Sequence, residues 1–530
     1  MAEPGVNLLN AESVDDLARL VDESVRASKE GVRYFLEPTP GVLIKAKSKR
    51  HHIIFGRRGS GKSSLLQKVA ADLTVDRTPI AFVDLETFKG HSYPDVLVSI
   101  LIKSLSEVKS WLDTAATNPA SKTSFWKKLF GSAPTRPAFN KADTGRLSNE
   151  FRAMIAELEK LLHSADEMKA KEQLRHEAFD EAKAGLSIKG PIGGIDVGGT
   201  SSDRSSVERQ SEYSSTKIEA LHRNIMKYQK AFRDLTQLAK GPAFLLLDDL
   251  YHIRLDDQAS VLDYFHRIAK GTNVWLKIGT IRHRSKWYSF GNPSRGMKLG
   301  DDADEIDLDV TLEKYELTRA FLLKILSQLA REANVSLNDL LADSTRDRLV
   351  LASGGVARDF LTIFARSIAV ARERLIRGNL VRGDKIGAED VNVAAGQQGV
   401  FKEEDFARDT GDDRDRLLAE FQKILEFCIS DVKANCFLVE KDMPPDETPP
   451  IDELVDLKFL HRARFRVTVR DRVGRLFDAY MLDLSQYTGE RARRGFEMVK
   501  FWGKDSDDSL RRASLIYLEK ERRQKSRTAH

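Results

Sequence analysis

The sequence predicts an α/β protein: a parallel sheet interrupted by a long helical insertion, then an all-helical segment and a C-terminal module ending in a β-hairpin. Three observations carry this reading. Short apolar runs, HHIIF, PIAFVDL, PAFLLLDDL and NVWLKIGTIR, are nearly continuous rather than alternating, as strands covered on both faces require. A glycine-rich turn joins the first run directly to a helical pattern, SLLQKVAADL. From Leu312 to about Ala395 the chain reads as helices only.

At 530 residues the chain has room for about three domains of roughly 150 residues each. Hydrophobic residues at 41% and charged residues at 31% argue against wholesale disorder and against a membrane bundle. The longest apolar runs, such as Ala243 to Leu247, fall far short of the roughly 20 residues that cross a bilayer, so no span is expected. Met1 to Asn10 shows no basic region followed by an apolar stretch, and the two cysteines, Cys428 and Cys436, read as reduced core thiols. A cytoplasmic location is the expectation.

In chain order, residues 1–40 are expected to form an entry helix and linker, with Val14, Leu17, Leu20, Val21 and Val25 on one face behind Ser13 as N-cap. The core spans 41–310, with an insertion at about 108–240. That insertion opens with a Ser/Thr/Pro/Ala-rich stretch and continues as a charged helical run, Leu147 to Lys183. A Gly-rich piece, GLSIKGPIGGIDVGGTSSD, reads as a hairpin, and a helix from Ser214 to Leu238 closes the insertion. The all-helical segment covers 311–400. Residues 410–503 run helix, short helix (Ile451 to His461), then FRVTVRD and RLFDAYMLDL joined at Arg472-Val473-Gly474, which is winged-helix-like; 504–530 form a basic tail. Net charge is only +5, yet His461 to His530 holds 18 Lys and Arg against 10 Asp and Glu. A polyanion would be met at that end, with Arg464, Arg466, Arg470, Arg472 and Arg475 along its backbone.

Gly56-Arg57-Arg58-Gly59-Ser60-Gly61-Lys62-Ser63 satisfies every fixed position of a phosphate-binding loop, and it sits between strand and helix as that loop requires. The glycines let backbone N–H groups turn toward a phosphate, Lys62 reaches the β- and γ-phosphates, Ser63 ligates Mg²⁺, and Ser64 lies in the first helical turn. A P-loop NTPase core is therefore expected. Asp248, at the end of Phe244 to Leu247, is the expected second metal-side ligand, and Asp249 is placed to polarise the attacking water. At the end of the next strand Thr280 is the expected polar sensor and Arg282 a γ-phosphate reader, with Arg284 as the alternative trans-acting arginine. Arg358, in Gly354-Gly355-Val356-Ala357-Arg358 at a helix start, is placed to swing over the nucleotide.

These elements in this order resemble the AAA+ superfamily, on the branch shared by origin-recognition-type initiators and STAND signalling ATPases. In that comparison GRRGSGKS is similar to Walker A, FLLLDD to Walker B, Thr280 to sensor 1, Arg282 to the STAND strand-end arginine and GGVAR to sensor 2. The resemblance implies ATP and Mg²⁺ as cofactors, an ATPase, a homo-oligomer, and a switch coupling nucleotide state to partner binding. Two jobs remain open. In one, the C-terminal module holds duplex DNA; in the other, a STAND-like ATPase of bacterial antiviral defence meets a protein partner through the 108–240 insertion.

Overall fold

The computed structural model describes residues 8–26, 31–75, 77–117, 139–184, 201–378, 383–409, 414–444, 447–488, 495–503 and 506–518. Its centre is a five-stranded, wholly parallel sheet of β1 (His52–Phe55), β2 (Ile80–Asp84), β3 (Ala243–Asp248), β4 (Val274–Thr280) and β5 (Asp304–Asp307), in the order β2-β3-β4-β1-β5. Side chains alternate across it as the pleat demands. Ile54, Phe244, Leu246 and Ile306 face the Lys62–Val75 helix, whereas Ile53, Phe55, Leu245, Leu247, Leu276 and Ile278 face the opposite layer. Both faces are thus covered, which explains the unbroken apolar runs.

The helices Lys141–Ala184 and Ser201–Ala239 pack against each other beside Asp95–Thr117. The insertion supplies part of the core: Phe151, Met154, Tyr228 and Phe232 are buried in the same cluster as the sheet, and Phe151 meets Phe232 edge-on at 5.8 Å. The Tyr264 hydroxyl, from the Leu255–Ala269 helix, donates to the carbonyl of Leu221 (2.7 Å). The hairpin expected in the Gly-rich piece lies outside the described residues, as do most of the Ser/Thr/Pro/Ala-rich stretch and the end of the basic tail. No helix among the described residues is long and apolar enough to cross a membrane.

Beyond Thr311 the chain is helical through Tyr315–Glu332, Asp343–Ser353, Ala357–Ile376 and Ala388–Asp409. The C-terminal strands β6 (Cys436–Glu440), β7 (Leu460–Val467) and β8 (Phe477–Leu482) form an antiparallel sheet in the order β6-β8-β7. The Arg414–Glu426 helix precedes this sheet and Ile451–Asp456 lies between its first two strands. Two boundaries differ from the sequence reading. The short helix ends at Asp456, because Leu460 and His461 already pair with Leu482 and Met481. The entry helix begins at Glu12, so Ser13 sits inside its first turn, and Ala11 occupies the cap position without a side-chain bond.

One hydrophobic cluster runs from the entry helix (Val14, Leu17, Val21) through the helical segment (Leu326, Phe360, Phe364) into the C-terminal sheet (Phe437, Leu460, Tyr480).

Candidate functional site

The phosphate loop emerges from β1 and closes on the Lys62–Val75 helix. Gly59 (φ +90°) and Gly61 (φ +100°) hold left-handed conformations that a side chain would strain. A Cβ on Gly59 would also stand 2.8 Å from that of Arg358. Lys62 is buried, and its Nζ donates to the carbonyls of Gly56 (2.8 Å) and Arg57 (3.2 Å). Burial lowers its pKa, against the opposing pull of Asp249, Asp248 and Asp309. The Ser60 hydroxyl is buried without a hydrogen-bond partner.

The acids come from two neighbouring strand ends. Asp84 and Asp248 are register partners on β2 and β3, and Asp249 follows in a left-handed conformation (φ +56°). Ser63 stands close enough to the Asp248 carboxylate, across 185 residues of chain, to help draw its pKa down. Burial, then the charge of Asp249, pushes the Asp248 pKa up to about 7, although Ser63 and Lys62 pull it down. Burial raises Asp249 as well. The space for Asp248 is made by Gly279 on β4, where a Cβ would lie 2.6 Å from Asp248 Oδ1. The fold is that of a P-loop NTPase core.

No protein-family model matches the chain, and no curated protein matches it. Among solved structures, the Orc1 protein of Aeropyrum pernix in complex with DNA is similar at 13% identity over 89% of this chain and 89% of its own, with a TM-score of 0.31. So loose a likeness carries no argument about this chain.

A cavity is lined by the loop from Arg58 to Ser64, by Asp249, and by Arg358 from the start of its helix. Its apolar wall comes from Val25, Val32 and Phe35 of the entry segment and from Phe321, Ile325 and Leu361 of the helical segment. Arg358 is fixed there at both ends: its N–H donates to the Gly59 carbonyl (3.3 Å) and its Nε to the Val25 carbonyl (3.3 Å). Tyr251, His252 and Glu86 close the acid side, and Lys62 Nζ lies 5.9 Å from the Tyr251 ring centre. The Arg284 guanidinium also lies over the Tyr251 ring, 5.3 Å from its centre.

Three residues expected at the nucleotide do not line this cavity. Arg282 turns outward in the 3-10 turn after β4, stacks on Phe55 at 3.9 Å and pairs with Glu305 of β5. Thr280 is fully buried and its hydroxyl bonds to that of Ser285. Arg57 is 2% exposed, and its guanidinium points away from the cavity to Asp309 (3.3 Å) and the carbonyls of Val310 (3.1 Å) and Gly354 (3.2 Å). For the two arginines a partner distant in sequence decides the direction, whereas Thr280 is held by Ser285, five residues on. Sequence reading missed Gly279, Asp84, Tyr251 and the apolar wall; of these Gly279 alone left a signal, a glycine inside an apolar strand run.

In the C-terminal sheet, Arg475 forms a two-pronged pair with Glu440 (2.6 and 2.5 Å), and Arg470 pairs with Asp508 (3.1 Å). Arg466, at φ +55°, is exposed.

Proposed function

We propose that this protein is an ATP-binding switch of the AAA+ kind that hydrolyses ATP with Mg²⁺ and couples nucleotide state to its C-terminal module. The single observation that carries the reading is that Ser63, at the end of the phosphate loop, and Lys62 both stand within reach of the buried Asp248 carboxylate. A hydroxyl and a carboxylate, both oxygen donors at the end of a phosphate loop, fit Mg²⁺, which binds through one or two carboxylates plus substrate phosphates. Bound there, the ion would neutralise phosphate charge. Lys62 would exchange its two carbonyl partners for phosphate oxygens, Asp249 would orient the attacking water, and Arg358 would sense the phosphates from the helical side. The apolar wall from Val25 to Phe35 and from Phe321 to Leu361 fits a base, with adenine as our choice.

Titration with a fluorescent ATP analogue and Mg²⁺ tests this directly. Wild-type binding that disappears in Lys62→Ala supports it; equal binding by the two proteins overturns it.

For the partner, the basic excess after His461 supports duplex DNA. One observation favours the other reading, a STAND-like signalling ATPase with a protein partner: Arg475 and Arg470 are already engaged by acids. DNA binding that weakens steeply with salt and stimulates turnover selects the first. Tight nucleotide retention with neither effect selects the second.

A further inference from the structure

Arg57 sits at the centre of a chain of contacts that leaves the phosphate loop by its far side. Its backbone carbonyl accepts from Lys62 Nζ (3.2 Å) and from the Ser60 N–H (3.1 Å), while its N–H donates to Asp309 Oδ1 (2.8 Å). Its guanidinium, almost wholly buried, donates to the carbonyl of Gly354. Gly354 ends one helix in a left-handed conformation (φ +56°) and lies directly on His461: a Cβ there would come within 1.9 Å of the ring Nδ1. His461 is fully buried in β7 and its Nδ1 has no hydrogen-bond partner.

On its other side His461 Nε2 donates to Asp483 Oδ2 (2.7 Å), which also accepts from Lys402 Nζ (2.7 Å). Asp483 directly follows β8, so the pair pins both strands of the C-terminal hairpin at one end. The same ionic cluster returns to the cavity: Lys458 Nζ donates to Asp359 (2.9 Å), the neighbour of Arg358, and Lys402 stands 4.0 Å from Asp359. Four buried side chains, Asp359, Lys402, His461 and Asp483, and the part-buried Lys458 are therefore joined in a region where one hydrophobic cluster already fuses helical segment and sheet. Buried ion pairs contribute little net stability, so their cost is better explained by the geometry they fix.

We propose that Arg57, Gly354, His461 and Asp483 form a relay that carries occupancy of the phosphate loop to the C-terminal sheet, which moves with the helical segment as one body. The relay rests on the nucleotide-binding reading. An anion in the loop draws Lys62 from the Gly56 and Arg57 carbonyls, and the side-chain bonds of Arg57 lead through Asp309, Val310 and Gly354 to that body. A coupling claim needs an element with two arrangements that both sites bias; here it is the set of bonds by which the Arg57 guanidinium ties the loop to Asp309, Val310 and Gly354 of that body.

Hydrogen–deuterium exchange of residues 460–482, with and without Mg²⁺–ATP on the full chain, tests this. In the wild type, nucleotide should change exchange there several-fold, although that segment does not line the cavity. In Arg57→Met, which keeps the stem and loses the guanidinium, nucleotide should still bind within a few-fold of wild-type affinity while the response at 460–482 disappears. An undiminished response in the variant, or none in the wild type despite bound nucleotide, overturns the relay. A wild type that binds no nucleotide removes the underlying reading and the relay together. Thermal melting checks that Arg57→Met is folded; if it is not, His461→Gln, on the far side of Gly354, carries the same two outcomes.

Discussion

Gly279 and Asp248 face each other across β3 and β4 so closely that a methyl group on the glycine would stand 2.6 Å from the carboxylate oxygen. The acid's position is therefore set by what a neighbouring strand lacks. Gly279→Ala should displace Asp248 from Ser63, with a stability cost of about 1–3 kcal/mol for overpacking. ATP turnover should fall at least ten-fold while Mg²⁺-free nucleotide binding changes little. Turnover at the wild-type rate would show that this contact does not position the acid.

The buried Asp248 gives the nucleotide-free protein a pH dependence. An unfolded chain releases that proton near the ordinary aspartate value, whereas the folded chain holds it up to about pH 7. Across that window the folded state binds more protons, so stability should fall as pH rises. Asp456, also raised by burial to about 7, adds a slope of the same sign. Asp248→Asn should remove the first share only. Its melting temperature at pH 8 should exceed that of the wild type, by roughly 2–4 °C per kcal/mol recovered. Melting curves from pH 5 to 8 without nucleotide provide the check.

The two arginines assigned from sequence should part company. Arg358 lines the cavity and touches the loop, so Arg358→Ala should weaken triphosphate binding by roughly ten-fold, as expected for a charged contact of about 1.5 kcal/mol. Arg282, half-exposed beside Glu305 and Phe55, should contribute under about 1 kcal/mol to stability and nothing to affinity. Nucleotide titration of both variants would expose an error in either placement.

Ser60 offers a finer probe. Its hydroxyl is buried and unpartnered, and removing an unsatisfied group stabilises by up to about 1 kcal/mol. Ser60→Ala should thus melt at or above the wild-type temperature yet bind triphosphate several-fold more weakly, if a phosphate oxygen supplies the missing partner. Unchanged affinity would mean the hydroxyl faces no ligand.

Much of the core was legible because its signals are local. The strand runs end within two residues of β1 to β4, and the loop's glycines and lysine sit in one stretch of eight. The edge strand β5 was not legible: DEID offers one apolar residue, Ile306, among three acids, and pairs with β1 alone in the sheet. The insertion's share in the core was not legible, because its helices are heavily charged, yet Phe151, Tyr228 and Phe232 are buried with the sheet.

By itself the sequence determined the phosphate loop, the strand carrying Asp248 and the helix start carrying Arg358, since each depends on backbone conformation and apolar periodicity within a dozen residues. Only the tertiary structure decided where the long cationic side chains point. Arg57 and Arg282 are flexible enough to reach several directions, and Asp309, Gly354 and Glu305, up to 297 residues away, fix the one each takes. Charge on a long stem has no local direction until the fold brings its partner.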